Sequence, residues 1–336
     1  MLSSDFGRKL KVSVFGGSHE PFVGVTICGL PSGRKIGADK VQAFLKRRAP
    51  EHNPFSTSRR EGDDLIIKSG IKNGMTDGAP LTAVIENKDI IPSDYSEFYN
   101  IPRPSHADYT ARIKYGNSVN MSGGGPFSGR MTAPLCIAGA IALQFLESYG
   151  IAVDSRIVSI GGKEDEAAIN EALHKAKESG DSLGGIAECR ALNVPAGLGG
   201  PMYDGVESAL SQIFFGIPGV KGVEFGAGFK SALLFGSENN DAFYFDENGE
   251  VKTKTNNHGG ILGGVTSGMP VTVRVAFKPP PSISLPQSSV NLDTKEAAVI
   301  AIKGRHDLCI LPRALPALES AMALGIFDLI LLNEQA

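Results

Sequence analysis

The chain has 336 residues, 42% hydrophobic and 21% charged, with 33 basic against 36 acidic side chains and a formal net charge of -3. That length suffices for one large core or two ordinary ones, and the composition excludes the low-hydrophobicity, high-charge regime of disordered chains. The near-balanced charge excludes a whole-molecule field that would draw the chain onto nucleic acid or an anionic membrane, so any anion site is local.

Lys11 to Phe15 alternates polar and apolar residues and predicts a strand that delivers its end to the glycine turn GGSHE, carrying Ser18 and His19. Val23 to Leu30 reads as a second strand, and Asp39 to Arg48 as a helix with Val41, Phe44 and Leu45 at helical spacing. Residues 49 to 62 are aperiodic and rich in proline, serine and arginine, which predicts a functional or mobile loop. Leu65 to Ile67 and Leu81 to Glu86 are short strands, and 101 to 130 reads as one long, site-building loop, proline-rich at its start and glycine-rich near its end.

Met131 to Tyr149 predicts a small-residue helix, whose apolar stretch Ala133 to Leu146 is the longest mainly apolar run and falls short of the roughly 20 residues a membrane span needs. A further helix is expected over Glu164 to Ser179, with strands on either side. A glycine-rich half follows: GLGGP (197 to 201), FGAGF (225 to 229) and GGILGGVTSGMP (259 to 270), which runs into the strand VTVRVAFKPPPS. GRHD (304 to 307) precedes an apolar helix over Ala314 to Leu332. With no flexible linker and no repeat, one α+β domain over 1–336 is favoured over two. No apolar run of signal-peptide length opens the chain, so a cytoplasmic location is expected.

The four cysteines lie apart without CxxC spacing and read as core filler. Of six histidines, His19, His106 and His306 stand in turns rich in glycine, serine, arginine or aspartate, and an imidazole titrates near working pH. His52 and His174 lack such company, and His258 stands beside a glycine pair. No HxH, HxxxH or HExxH spacing places two metal ligands on one face, so no metal is expected. A Ser-His hydrolase using Ser18 or Ser105 is disfavoured by the absence of a GxSxG elbow.

SGGGPFSGR (122 to 130) and GGILGG (259 to 264) suit either tight turns or backbone N–H contacts to phosphate. Arg47, Arg48, Arg59, Arg60, Arg103, Arg130 and Arg305 all fall near glycine or proline in separate irregular segments. Guanidinium forks match phosphate and carboxylate, and their dispersal over loops points to a small polyanion instead of a nucleic-acid stripe.

FGGSHE with VGVTICGLPSG, RPSHADYT with KYG, SGGGPFSGR, KGVEFGAGF with GSENND, NNHGGILGGVTSGMP, KPPPSIS and GRHDLCILPRALP resemble, in family order from residue 15 to 316, the signature blocks of chorismate synthase. The resemblance implies a β-α-β sandwich, usually a homotetramer, and a lyase. Its reaction would be 1,4-elimination of phosphate from 5-enolpyruvylshikimate 3-phosphate (EPSP) with reduced FMN and no net redox change, the last common step toward the aromatic amino acids. NADPH is implied as a reductant in some members.

By position, the resemblance makes His19 the donor to the departing phosphate, His106 the donor to reduced flavin, and Ser18 with Asp307 a proton relay. Arg48, Arg103 and Arg130 fall to the substrate anions, Arg48 also to NADP. Pro126, Phe127, Ser128, Pro218, Gly219, Gly263, Lys278, Pro279, Pro280, Pro281, Ser282 and Arg305 fall to the flavin. Four positions depart from the family pattern: Glu20 follows His19 in place of glycine, Pro54 replaces an arginine, Pro126-Phe127-Ser128 replaces Arg-Ser-Ser, and Pro218-Gly219 replaces Asn-Ala.

Overall fold

The computed structural model describes residues 4–49, 62–88, 98–116, 118–302 and 307–334. The first half alternates β1 (Asp5–Phe6), β2 (Lys11–Gly16) and β3 (Phe22–Cys28) with α1 (Ala38–Arg48), β4 (Ile66–Ser69), a small hairpin β5 (Ile71–Lys72) and β6 (Met75–Thr76), and β7 (Leu81–Glu86). These make an antiparallel sheet of order β1-β2-β3-β7-β4. Side chains alternate across a strand, so Val23, Val25 and Ile27 of β3 and Leu81, Ala83 and Ile85 of β7 all face the core, buried.

Between the halves lie α2 (Asp108–Tyr115) and α3 (Thr132–Glu147). The second half supplies β8 (Ala152–Ile160), α4 (Glu166–Ser179), β9 (Gly185–Leu192), α5 (Val206–Phe215), β10 (Val220–Phe225) and the single turn α6 (Gly236–Asn239). Hairpins β11 (Phe243–Phe245) with β12 (Val251–Thr253) and β13 (Ile261–Leu262) with β14 (Val265–Thr266) precede β15 (Val271–Phe277). A last hairpin, β16 (Gln287–Val290) with β17 (Ala297–Ile300), comes before the C-terminal helix α7 (Leu311–Asn333). The second antiparallel sheet has the order β10-β15-β9-β8.

Helices α3 and α7 pack on each other between the two sheets, α3 against β3 and β7 and α7 against β8 and β9. A helix with neighbours on both sides must be apolar around most of its circumference, and both are. Their axes approach closely because Gly139 presents no side chain: a Cβ there would fall 2.1 Å from Ser320 Cβ. The apolar core runs without a break from Leu10 in the first sheet to Leu331 in α7, and includes Ala187, Val273 and Phe277 of the second sheet.

Two expectations need correction. The expected apolar limit is exceeded: Gly129–Glu147 and the 23-residue α7 are each long and apolar enough to cross a membrane, although both are mostly buried inside the fold. The charges that break the apolar run of α7 in the sequence are themselves buried with partners. Glu319 accepts both guanidinium arms of Arg47 (2.6 and 2.7 Å) and the Ser155 hydroxyl (2.7 Å). Asp328 accepts the backbone N–H groups of Arg8, Lys9 and Leu10, the last two at 2.8 and 2.7 Å.

The segment 101 to 130 is likewise more than a loop, because it contains α2 and two short 3-10 turns, Ser122–Phe127 and Gly129–Met131. Asp108 starts α2 at the helix end that favours an anion, and Ala111 is buried beneath it.

Candidate active site

Seven segments converge on a cavity of about 620 Å³. Its wall takes Arg48 from the end of α1, Asp63, residues 105–107, the glycine turn with the start of α3, residues 215–221 after α5, residues 278–282 after β15, and Asp307 with the first turn of α7. Lining it are the cations Arg48, Arg130, Lys221, Lys278 and Arg313 against the carboxylates Asp63 and Asp307, so the cavity has a net positive lining inside a slightly acidic chain.

The floor is a buried ion cluster centred on Asp63, whose side chain is 1% exposed. Arg48 Nη1 donates to Asp63 Oδ2 at 2.7 Å, and Arg130 Nη1 donates to Asp63 Oδ1. Burial alone would raise the Asp63 pKa, but the adjacent Arg48 and Arg130 charges outweigh it and hold the carboxyl below its ordinary value. Arg48 also donates to Thr132 Oγ1 (2.9 Å) and Arg130 to Asn87 Oδ1 (3.0 Å). Asn87 in turn donates to the carbonyls of Gly17 and Glu20, which ties this floor to the GGSHE turn. Arg313 extends the cluster: it donates to the Arg48 carbonyl (3.1 Å) and pairs with Asp307 Oδ2 at 2.8 Å, and burial lowers its pKa.

On another wall stands His106. Its Nδ1 lies 2.7 Å from Asp108 Oδ1, and Asp108 also accepts from Arg103 Nε (2.7 Å), Arg103 Nη2 (2.7 Å) and the Arg103 backbone N–H (3.0 Å). Burial disfavours the charged carboxylate, yet these donors hold Asp108 far below the ordinary range. Burial also depresses the His106 pKa, partly countered by Asp108. Lys278 donates to the Ser105 carbonyl, and burial followed by Lys221 lowers its pKa.

Of the expected site residues, Arg48, His106, Pro126, Phe127, Ser128, Arg130, Pro218, Gly219, Lys278, Pro279, Pro280, Pro281, Ser282 and Asp307 all line the cavity. Ser18 and His19 are buried behind Gly123: a Cβ on Gly123 would fall 2.2 Å from His19 Cε1 and 2.8 Å from Ser18 Oγ. At the next residue, a Cβ on Gly124 would lie 3.4 Å from His106 Nε2. The two histidines therefore flank one glycine pair, both members of which have positive φ.

Arg103 is displaced from the expected anion pocket to a place behind His106, because Asp108 takes up its guanidinium. Gly263 lies apart as well. It sits in the β13–β14 turn, whose Gly264 carbonyl accepts from Val206 at the start of α5, whereas the cavity meets only the other end of that helix at Phe215. Arg305 and His306, with His52, Pro54, Arg59 and Arg60, lie outside the described residues. The departures from the family pattern have settled places: Glu20 accepts from Asn120 Nδ2 (3.2 Å), Ser128 caps the turn into α3 by accepting from the Arg130 N–H, and Gly219 uses φ 95°. His258, beside its glycine pair, is bound to Asp241 at 3.0 Å.

Sequence reasoning missed Asp63, Asp108 and Arg313. The signal for Asp108 lay in RPSHADYT, five residues from Arg103 and two from His106, whereas Asp63 and Arg313 meet only through the fold.

The chorismate synthase family model matches residues 10–331. The chain belongs to the chorismate synthase family. It is 44% identical over 347 residues to the chorismate synthase of Korarchaeum cryptofilum, with 96% of both chains covered. It is 46% identical over 343 residues to that of Thermococcus gammatolerans, again with 96% of both chains covered. A crystal structure of chorismate synthase superposes with a TM-score of 0.78 at 27% identity, covering 97% of this chain and 93% of the other. That likeness bears out the expected α+β fold of the chorismate synthase family, with both sheets and the helices between them.

Proposed function

We propose that this chain converts EPSP to chorismate and phosphate by 1,4-elimination, with reduced FMN held in the same cavity. The observation behind this reading is the convergence, in a member of the chorismate synthase family, of five cations, an imidazole and rigid apolar surface on one cavity. Its volume lies within the roughly 300–1,000 Å³ of small-molecule sites.

Arg48 and Arg130 on the floor, spaced by Asp63, present guanidinium groups to the substrate's phosphate and carboxylates. The residues also fit a flavin: Pro279 to Pro281, Pro218 and Phe127 give flat apolar surface, and Lys221 and Lys278 give positive charge for a phosphate tail. When bound, reduced FMN supplies transient electron donation to C–O cleavage and takes up the C6 hydrogen. Ser128, Gly219 and Ser282 complete that wall, joined in this reading by Arg305. His19 serves the leaving phosphate from behind Gly123, Asp307 beside Arg313 holds a proton for relay with Ser18, and His106 exchanges a proton with the ligand in the cavity.

A single domain, a homotetramer and a cytoplasmic setting complete the proposal. Mixed anaerobically with EPSP and reduced FMN, the folded protein should release phosphate and chorismate together; release of neither overturns the reading. His106→Ala should slow turnover severely with little change in folding. Oxidation of NADPH with FMN alone would add a reductase activity to the lyase.

A further inference from the structure

We infer that Asp108 is the positioning residue that fixes the tautomer of His106, so that His106 presents an unprotonated Nε2 to the cavity and meets its ligand as a hydrogen-bond acceptor. The inference rests on the proposed reaction only for its catalytic consequence; the tautomer itself is a property of the protein alone.

The geometry leaves one proton placement. Each oxygen of Asp108 faces two donor positions: Oδ2 accepts the Arg103 backbone N–H and Nε–H, and Oδ1 accepts Arg103 Nη2 and faces His106 Nδ1 at 2.7 Å. A carboxylate held by a guanidinium fork stays ionised and has no proton to give. The short Nδ1 to Oδ1 contact therefore requires the hydrogen on Nδ1. Arg103 Nη2 also lies 3.1 Å from Nδ1. Since guanidinium only donates, its proton goes to Oδ1 and leaves Nδ1–H undisturbed.

Three charged groups face the ring: Arg103 and Asp108 from its own segment, and Lys278 from the loop after β15. Burial, Arg103 and Lys278 favour the neutral ring over the imidazolium, against the opposing pull of Asp108. The Nε2 edge lies beside Gly124, where even a methyl group would come within 3.4 Å of it, and His106 lines the cavity. His106 thus begins as a base: a proton taken at Nε2 makes an imidazolium steadied by Asp108, and the same proton returns to the ligand. This reverses the starting role that family resemblance suggests, in which the imidazole begins as donor.

Asparagine at 108 provides the sharp test. Its amide must turn an N–H₂ group toward one pair of donors. The backbone N–H and the guanidinium cannot give up their protons, whereas the imidazole can move its own to Nε2. Histidine-selective ¹⁵N labelling of the ligand-free full chain, with His106→Gln for assignment, reads the two ring nitrogens directly. In the unmodified protein at neutral pH, His106 should show Nδ1 protonated and Nε2 unprotonated. Asp108→Asn should invert that pattern and lower kcat by about 10²- to 10⁴-fold with KM little changed. Asp108→Glu should restore the original tautomer and most of the rate.

An Nε2–H tautomer in the unmodified protein overturns the inference, as does an unchanged tautomer in Asp108→Asn. If Asp108→Asn is too unstable to observe, the unmodified protein's spectrum and the Asp108→Glu rate still decide. An inactive wild-type protein with the expected tautomer would defeat the proposed reaction and leave the role of Asp108 standing.

Discussion

Asp63 and Asp328 are both buried carboxylates, 3% and 4% exposed, yet they do opposite things with their negative charge. Asp328, in the middle of the apolar α7, collects three successive backbone N–H groups and fixes the turn between β1 and β2. Asp63 collects two guanidinium groups that border an open cavity. A backbone amide held this way has one geometry and no further use. A guanidinium has five N–H donors, so a carboxylate can hold two arginines side by side and still leave a doubly cationic surface for an anion. Burial by itself therefore does not mark a functional carboxylate; the chemistry of its partners does.

That contrast breaks most sharply at Asp63. Asp63→Ala leaves Arg48 and Arg130 buried without their shared counter-charge, and removing one partner of a buried ion pair costs about 3–5 kcal/mol. If the cluster is an anion site, inorganic phosphate should recover part of the loss by taking the vacated position. Urea unfolding with and without phosphate measures both effects, and a variant equally unstable in both conditions would reduce Asp63 to simple charge balance. The pH dependence has a fixed sign. Because the Asp63 pKa is lowered in the fold, its stabilisation is complete above the ordinary carboxyl value near pH 4 and is lost as pH falls through the folded value. The margin of wild type over Asp63→Ala should be flat around neutrality and shrink only in acid.

A smaller effect is expected in the core, with no bearing on the cavity. Gly139→Ala places a methyl group 2.1 Å from Ser320 Cβ and 2.4 Å from its Cα, so α3 and α7 must move apart. Overpacking of this kind costs about 1–3 kcal/mol. Ser320→Gly in the same chain should return much of it, because the crowding is pairwise. Thermal unfolding of the two single variants and the double variant measures the coupling, and additive losses would show that the helices separate for another reason.

The same division governs what was legible in the sequence. Period-two runs marked β2, β3, β7 and β15, and the Glu164–Ser179 expectation met α4 within two residues, since Asp165 caps its start and Gly180 its end. The small α2 escaped notice because its eight residues bury only one face and sit between prolines and glycines. At the site, histidines and arginines near glycine turns stood out by residue type, and most of them line the cavity. Their carboxylate partners did not. Asp63 meets Arg130 across 67 residues of sequence, and Arg313 reaches the Arg48 carbonyl across 265, so no local spacing announces either pair. Arg103 shows the opposite error: its residue type suits an anion, but Asp108 five positions away already holds it.

Asp328→Asn should give the mildest effect and closes the comparison with Asp63. The amide oxygen can still accept from the backbone N–H groups of Lys9 and Leu10, but the N–H₂ end now faces the turn as a donor and the charge that strengthens these bonds is gone. A loss of about 1–2 kcal/mol follows from weakening charge-assisted bonds without emptying the site. Since all three donors are main-chain groups far in sequence from the cavity residues, the loss should not change with phosphate, and kcat and KM should stay at wild-type values below the melting range. Unfolding of Asp328→Asn in parallel with Asp63→Ala, each with and without phosphate, separates the two kinds of buried carboxylate. Phosphate rescue of both variants would mean general stabilisation by salt and would remove the distinction between backbone-holding and arginine-holding acids.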